Sequence, residues 1–376
     1  MRFTNGIIIF FVIATVDEVL SKLFDHADKE GTDTKGCNIV YQNHTMSENI
    51  CSDKFDSVQI ANFINDPLMK VELIKISKTD ARRIKAGTFP ASNTLRQLYL
   101  PENNISIIDD DAFDFMSALT HLYLNNNKLK SFNAYIITAG FNIKYLDLGY
   151  NSFEGMMDTA LYNLKSLTYL NLDGNKFKNI SMGKLINNVE SVKEVSMAKN
   201  LLTRITNEFF DPLINLEVLN LAFNKISYIG GAFLFMENLK TLILSHNYLT
   251  RFDKFDIPLK RPSLLKNLAI DYNQLMFLSW EVLDAMPLLS KIAIYGNQWY
   301  CICIYDHRRD FANRFIKPIK EVCNVRGGNG EYCVDADTES CTRYDSALAA
   351  SALNYDRDHP LVYIPNITYN CVLDEF

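Results

Sequence analysis

The sequence predicts an α/β fold in which units of about 24 residues stack into a curved horseshoe-shaped solenoid. A parallel β-sheet lines its concave face, and a disulfide-bonded cap closes each end. Three observations predict this fold: a leucine and asparagine pattern that recurs at near-constant spacing, a strand-like apolar–variable–apolar triplet in each copy, and cysteines confined to the two ends of the chain. With 376 residues, of which 48% are hydrophobic, the chain can bury a large core.

The repeat is clearest in the stretch LTHLYLNNNKL at 119–129, where three leucines precede an asparagine and a last leucine. Ten copies follow one another, and their asparagine positions are 23 to 26 residues apart. The first copy departs from the pattern because threonine stands in the asparagine position. The column consists of Thr79, Asn103, Asn127, Asn151, Asn175, Asn200, Asn224, Asn247, Asn273 and Asn297. Such a constant register predicts a repeat architecture.

The physical reason for the pattern lies in the stacking of the units. The two apolar side chains of each triplet point inward, so stacked units join their strands into a parallel sheet over one continuous leucine core. The asparagine falls where the strand turns away. We expect its buried amide to bond backbone groups of its own and of adjacent units, since buried amides need such partners.

The N-terminus predicts a secretory signal peptide. An apolar run from Ile7 to Val16 follows one arginine and precedes acidic residues, and the alternative is a buried N-terminal strand. Stacked repeats expose apolar faces at both ends, which must be capped. We therefore expect a signal peptide at 1–16 and an N-terminal cap at 17–70. About ten repeats should follow at 71–299, and a cysteine-rich C-terminal cap and tail at 300–376.

Cysteines and glycosylation motifs also predict an extracellular protein. An even number of cysteines clustered at the two ends suits an oxidising compartment. These are Cys37, Cys51, Cys301, Cys303, Cys323, Cys333, Cys341 and Cys371. Glycosylation motifs begin at Asn43, Asn104, Asn179 and Asn366. No later segment has the length and apolarity of a membrane-spanning helix, so we expect a secreted glycoprotein without a membrane span.

The repeat resembles that of the leucine-rich repeat family over roughly residues 55–300. The stretch NQWYCICIYDHRRDFANRF resembles the cysteine-rich C-terminal flank of extracellular members, in which a tryptophan precedes a cysteine pair. Here these residues are Trp299, Cys301 and Cys303.

The resemblance implies a disulfide framework. Cys37 would close the N-terminal cap with Cys51, and the cysteine pair of the C-terminal flank would bond to cysteines downstream, for which Cys323, Cys333 and Cys341 are candidates. For Cys371, a further bridge within the cap and a bridge to another chain both stay open, because it is the sixth residue counted from the C-terminus.

The variable positions of each triplet are expected to face outward across the concave sheet. The variable middle position of the triplet is occupied by Tyr99, Tyr123, Asp147, Asn171, Ser196, Asn220 and Ile243. Exposed tyrosines with polar neighbours are typical of protein interfaces, although tyrosine also simply suits exposed strands. The predicted binding residues are Tyr99, Tyr123, Tyr145, Tyr150 and Tyr169.

Two further groups are weaker signals. One is a scattered aromatic set, Phe223, Tyr272 and Tyr295. The other is a row of lysines near the strand starts, which we interpret as a solvated edge: Lys193, Lys240, Lys266 and Lys291.

The sequence favours no catalytic, cofactor or metal site. The stretch HRRDFAN at 307–313 is only faintly similar to a kinase catalytic loop and lies in the cysteine-rich cap. The acidic cluster around Asp110 lacks the glycine and spacing of a calcium loop, and His121 and His246 stand apart from cysteines and acid pairs. A net charge of −6 and a pI near 5.6 argue against nucleic acid as a partner. We expect a protein that is not an enzyme.

The most specific resemblance is to secreted leucine-rich immune proteins of insects, in a short form without a coiled coil. It rests on the signal peptide, about ten repeats, the cysteine pair after the last repeat, and the missing membrane anchor. It implies extracellular recognition of a protein partner, such as another leucine-rich repeat protein or a complement-like protein, in innate immunity. The alternatives are a soluble receptor-like protein, a matrix or adhesion component, and an enzyme inhibitor.

Overall fold

The computed structural model describes residues 36–41, 44–48, 71–140, 142–186, 190–210, 213–258, 262–299 and 309–318, the first two ranges as backbone only. These residues belong to a compact unit that begins at Gly36. The predicted signal peptide, the cysteine side chains and the glycosylation motifs at Asn43 and Asn366 lie outside the described residues. The predictions made for them stand as such.

The strands within these ranges are short and regularly spaced. They are β1 (Gly36–Tyr41), β2 (His44–Glu48), β3 (Val71–Ser77), β4 (Arg83–Ile84), β5 (Gln97–Tyr99), β6 (Ile107–Ile108), β7 (His121–Tyr123), β8 (Tyr145–Asp147), β9 (Tyr169–Asn171), β10 (Glu194–Ser196), β11 (Arg204–Thr206), β12 (Val218–Asn220), β13 (Tyr228–Gly230), β14 (Thr241–Ile243), β15 (Asn267–Ala269), β16 (Lys291–Ala293) and β17 (Lys317–Pro318).

The concave sheet is parallel, as the repeat predicts. Its order is β3, β5, β7, β8, β9, β10, β12, β14, β15, β16 and β17, and at the N-terminal end the hairpin of β1 and β2 adds to β3 in antiparallel fashion. The register places corresponding triplet positions side by side, so Leu98, Leu122 and Leu146 form one row across the sheet. The predicted parallel-sheet solenoid is confirmed.

The core lies between this sheet and the convex side. The inward leucines of the triplets, such as Leu122 and Leu146, have no exposed surface. Phenylalanines fill the convex half, where the parallel rings of Phe153 and Phe177 stack at 6.2 Å between centroids and are fully buried. Because each unit buries its apolar side chains against its neighbours, the core is continuous along the chain.

Short helical turns and two-stranded sheets form the convex side. The pairs β4 with β6 and β11 with β13 are parallel. The helices on this side include α1 (Met182–Leu185), α2 (Asn207–Phe210) and α3 (Trp280–Asp284), with 3-10 turns at Ala134–Ile136 and Lys254–Asp256. Residues 309–313 are also helical. Ser279 caps α3 by accepting a hydrogen bond from the backbone N–H of Glu281 at 3.1 Å. No helix among the described residues has the length and apolarity needed to cross a membrane.

The asparagine column forms the predicted hydrogen-bonded ladder. The amide nitrogen of Asn151 donates to the carbonyl of Leu124 in the preceding unit at 3.0 Å and to that of Leu148 in its own unit at 3.1 Å. Its amide oxygen accepts from the backbone N–H of Leu129 at 3.0 Å. The same pattern recurs at Asn127, Asn175, Asn200, Asn224, Asn247, Asn273 and Asn297.

Threonine fits the first position of the ladder for a physical reason. The hydroxyl and the backbone N–H of Thr79 both donate to the amide oxygen of Asn103, at 2.9 and 3.0 Å. An amide here would have to donate to a preceding parallel unit, whereas the strand next to β3 is the antiparallel β1. A hydroxyl is therefore enough at this end.

The residue before each ladder position adopts the left-handed conformation. All ten have φ between 50° and 67°: Lys78, Glu102, Asn126, Tyr150, Gly174, Lys199, Phe223, His246, Tyr272 and Gly296. A side chain in this conformation costs about 1 kcal/mol or more, which the ladder bonds and the packing around them offset. We call these residues the turn column, because they begin the turn at the end of each strand.

A candidate binding face on the concave sheet

Aromatic rings of neighbouring strands stack in the N-terminal half of the concave sheet. The rings of Tyr99 and Tyr123 are parallel, with centroids 4.1 Å apart. Those of His121 and Tyr145 are also parallel at 4.3 Å, and Tyr145 continues to Tyr169 at 5.7 Å with a tilt of 33°. We call these five residues the N-terminal aromatic array. The structure thus brings four of the five predicted tyrosines together and adds His121.

The stacking follows from the register of the strands. Adjacent strands lie about 4.8 Å apart, which is close to the separation of stacked rings, so equal positions in successive units place their rings face to face. The ring faces therefore cover one another, and the partly exposed members of the array present mainly their ring edges. The array offers hydrogen-bonding edges to a partner, with few open ring faces.

The phenol groups of the array are linked to one another. The hydroxyl of Tyr99 donates to the side-chain oxygen of Gln97 at 2.9 Å and also hydrogen-bonds Tyr123. Burial raises the pKa of the Tyr99 and Tyr123 phenols, so both stay protonated at neutral pH. Burial, with the positive charge of Lys144 adding to it, lowers the pKa of His121 to about 4, so the stacked imidazole is neutral.

Burial separates the predicted tyrosines into two kinds. Tyr123 is only 4% exposed because Tyr99 and its neighbours cover it, so the expectation of an exposed side chain is wrong there. The rings of Tyr99, Tyr145 and Tyr169 are partly exposed, and that of Tyr150 is 38% exposed. The variable triplet position is also buried at Asp147, Ser196, Asn220 and Ile243, again against the expectation of exposed side chains.

Tyr150 belongs to the turn column and not to the N-terminal aromatic array. Its ring lies over Gly174 of the next unit, where an added Cβ would come within 2.5 Å of the ring. The ammonium group of Lys199 lies 5.6 Å from the Tyr150 ring centroid and 5.8 Å from that of Phe223. Glycine at 174 therefore leaves the space in which Tyr150 lies flat along the turn column.

A second stack follows in the C-terminal half of the turn column. The ring of His246 lies between those of Phe223 and Tyr272, at 4.1 and 4.3 Å, and both pairs are close to parallel. Burial lowers the pKa of His246 to about 4, so it is neutral as well. In the sequence, Phe223 and Tyr272 were interpreted as scattered aromatic residues. Their stacking could have been predicted from their common position, one residue before the ladder asparagine. Tyr295 lies one position earlier in its unit and is partly buried.

A buried acidic group lies next to the N-terminal aromatic array. The carboxylate of Asp147 accepts the backbone N–H of Gly149 at 2.8 Å. Burial raises the pKa of this carboxyl to about 7; the charge of nearby Asp173 adds to the increase, and hydrogen bonds from Gly149 and Asn171 oppose it. Asp173 itself accepts the hydroxyl of Ser196 and the backbone N–H of Ala198, both at 2.6 Å.

Asp147 predicts a pH-dependent stability. Because its pKa is about 7 in the folded chain but about 4 in an unfolded chain, the folded state binds the proton more tightly, so the stabilising contribution is complete below pH 4 and is lost as pH rises to 7. Asparagine has no proton to lose. We expect Asp147→Asn to raise the free energy of unfolding by up to about 4 kcal/mol at pH 8 and to change it little at pH 4.

Urea unfolding of both proteins at the two pH values measures this effect. The buried carboxyl of Asp256 also has a pKa raised to about 7 by burial, so Asp147→Asn should keep part of the pH dependence. If Asp147→Asn were less stable than the wild type at pH 8, the ionised carboxylate of Asp147 would not destabilise the folded state.

The concave side chains offer polar and aromatic groups to a binding partner. Among the residues that the structure describes, no group of three or more histidine, cysteine, aspartate or glutamate side chains could hold a metal ion. Asp109 of the acidic cluster pairs with Arg83 at 2.7 Å, and Asp114 bonds Thr138, so these acids belong to the surface of the convex side. Hydroxyl groups, ring edges and amides remain as the chemical means of recognition.

Comparison with known proteins agrees with the repeat geometry. A leucine rich repeat family model matches residues 70–133, 138–187 and 190–249. These ranges cover the strands and ladder positions of the first eight units. The chain has the leucine-rich repeat fold.

Curated relatives of this leucine-rich repeat protein include receptors. Toll-like receptor 8 of Homo sapiens is 29% identical over 233 residues, which are 59% of this chain and 20% of the receptor. Osteomodulin of Rattus norvegicus is 25% identical over 285 residues, which are 68% of this chain and 65% of that protein. The chain thus spans only part of the length of these relatives.

The leucine-rich repeat fold also recurs among solved structures. A chain in the structure of the Toll–Spatzle complex from Drosophila aligns with a TM-score of 0.54 and 19% identity, over 66% of this chain and 39% of that chain. At this identity the similarity concerns the fold alone. Leucine-rich repeat proteins bind other proteins, and the concave arrays described above are the candidate surface for that role in this chain.

Proposed function

We propose that this leucine-rich repeat protein is a secreted, non-enzymatic recognition protein that binds another protein through the concave face. The observation that carries the proposal is the N-terminal aromatic array, in which the stacked rings of Tyr99, Tyr145 and Tyr169 are partly exposed and present aromatic edges. Rigid aromatic side chains contribute much of the energy of protein interfaces because little side-chain entropy is lost on binding.

The role in insect innate immunity is the finer part of this proposal. Its support is the sequence resemblance to secreted leucine-rich immune proteins of insects, together with the clustered cysteines and the glycosylation motifs. A covalent partner through Cys371 belongs to the same proposal. A soluble receptor-like protein is the second candidate, which the similarity to Toll-like receptor 8 favours.

The binding face can be tested with alanine at Tyr145 and Tyr169 together. Wild-type protein is immobilised, a partner is captured from native extracellular fluid and identified by mass spectrometry, and its affinity is then measured by surface plasmon resonance. We expect the double variant to bind at least about tenfold more weakly, since each substitution removes an interface aromatic.

Tyr135 provides the matched control, because it is 66% exposed and lies in a 3-10 turn on the convex side. The variant Tyr135→Ala should bind as the wild type does. Equal affinities for all three proteins would exclude the N-terminal aromatic array from the interface. A captured partner released only after reduction would support the covalent route.

A further inference from the structure

A row of positive charges runs along the flank on which the chain enters each strand. It consists of the residue before each parallel strand, and we call it the basic row: Arg96, Thr120, Lys144, Thr168, Lys193, Glu217, Lys240, Lys266 and Ser290. Five of these nine residues are basic and one is acidic. The chain as a whole carries a net charge of −6, so the positive charge is a local feature of this flank.

The backbone holds the basic row at fixed spacing. The N–H of each member donates to the carbonyl of the preceding member at 2.7 to 2.9 Å, from Arg96 to Ser290. The hydroxyls of Thr120, Thr168 and Ser290 add bonds to the carbonyls before them, at 3.0 to 3.1 Å. Adjacent strands lie about 4.8 Å apart. From Arg96 to Lys240, basic residues occur on alternate strands, so they repeat roughly every 10 Å.

The one acid of the basic row does not interrupt its positive field. The carboxylate of Glu217 accepts from the ammonium groups of Lys193 at 3.3 Å and Lys240 at 2.5 Å. The hydrogen bond from Lys240 is the main reason that the pKa of Glu217 is lowered, so this group stays ionised between two lysines. The three residues together carry one positive charge. Arg96, Lys144, Lys193 and Lys266 are exposed.

A second row of uncharged and mostly polar residues runs beside the first seven members of the basic row, two residues earlier in each unit. We call it the amide row after its three asparagines, and it comprises Thr94, Ala118, Asn142, Ser166, Ser191, Asn215 and Asn238. In the last two units, leucines occupy the same position, at Leu264 and Leu288. Its asparagines donate to backbone carbonyls of the preceding unit, as Asn142 does to Ser117 at 2.8 Å and Asn238 to Ile214 at 3.0 Å. The bonds fix these side chains, and each amide keeps further capacity to donate and accept.

We propose that this flank binds a linear anionic polysaccharide, a chain of sulfated or carboxylated sugars, independently of the concave face. The basic row supplies regularly spaced cations for the acid groups of such a chain. The amide row supplies fixed donors and acceptors for its hydroxyl groups.

The two rows favour a polysaccharide over other polyanions. Neither row contains an aromatic side chain on which a nucleic acid base could stack. The backbone groups of the basic row already bond one another, so an acidic peptide could not add to them as a strand. The glycosylation motifs at Asn104 and Asn179 follow their strands, so sugars attached there would leave this flank uncovered.

Binding of heparin fragments to the full chain tests the proposal. Isothermal titration at low and at physiological salt would use a tetrasaccharide and a dodecasaccharide as probes. We expect the longer fragment to bind more tightly, because the basic row extends over about 38 Å of sheet, and we expect salt to weaken the binding. The double variant Lys144→Gln with Lys266→Gln should bind the dodecasaccharide roughly twenty-fold more weakly.

The control variant removes two exposed lysines that follow their strands, Lys128→Gln with Lys176→Gln. It should bind as the wild type does, and so should the variant with alanine at Tyr145 and Tyr169, since the concave face plays no part. Three results would overturn the proposal. The two lysine pairs could weaken binding equally, or the wild type could fail to bind the heparin fragments. The wild type could also bind polyglutamate or single-stranded DNA of similar charge as tightly as it binds heparin. The variant with alanine at Tyr145 and Tyr169 is tested with the same heparin probe. A failure of the polysaccharide proposal can therefore be distinguished from a failure of the proposed protein interface on the concave face.

Discussion

Replacing Phe177 with alanine is expected to lower the free energy of unfolding by about 4 kcal/mol. The ring is fully buried and stacks on Phe153 of the preceding unit, so alanine would leave a cavity between two units that the stacked backbone cannot close. The N–H of Phe177 also donates to Asn200, which ties the backbone at this position to the ladder. Urea unfolding followed by circular dichroism would measure the loss.

The matched control for this substitution is Phe115→Ala, because Phe115 is 59% exposed on the convex side. We expect it to change the free energy of unfolding by no more than about 0.5 kcal/mol. If Phe177→Ala cost less than about 1 kcal/mol with an unchanged dependence on urea, the core between these units would be looser than the structure shows.

Replacing Asn151 with alanine is expected to cost about 3 kcal/mol of folding free energy. The substitution leaves the buried N–H of Leu129 without its acceptor, and an unsatisfied buried group costs about 1 to 3 kcal/mol. The carbonyls of Leu124 and Leu148 each lose one of two amide donors, since Asn127 and Asn175 also donate to them. It also removes support from the left-handed residue Tyr150 just before it. The effect therefore reaches the preceding unit as well as its own.

Asn142→Ala serves as the comparison, since that asparagine is exposed and makes a single bond to the carbonyl of Ser117. Its loss should cost about 1 kcal/mol or less. Hydrogen exchange would locate the effect of Asn151→Ala, with faster exchange expected at the N–H of Leu129 and in the units around it. Uniform protection equal to that of the wild type would show that the ladder bond adds nothing to local stability.

The repeat allowed most of the fold to be predicted because it encodes local and nearest-neighbour interactions. The triplet predicts a strand, and its fixed spacing predicts that strands of successive units are parallel and in register, as Leu98, Leu122 and Leu146 show. Asparagine at one position predicts a buried amide with backbone partners. These relations need only the unit and its neighbour, and both are visible in the sequence.

The candidate site was predicted less well because exposure depends on what covers each side chain. Tyr123 and Tyr145 occupy outward positions alike, yet only Tyr123 is buried. The stack of His246 between Phe223 and Tyr272 was not predicted, although all three residues precede the ladder asparagine of their units. Equal positions in successive units allow rings to stack, but the extent to which each ring is covered depends on the side chains around it.

The sequence by itself determined the repeat, the parallel sheet and the asparagine ladder of this leucine-rich repeat protein. Only the tertiary structure decided which outward side chains are covered, that Asp147 has a carboxyl pKa near 7, and that the lysines of one flank stand on a single hydrogen-bonded row. The physical reason is distance. A repeating pattern determines contacts between units in register, whereas burial and electrostatics depend on all the atoms that close around a group in three dimensions.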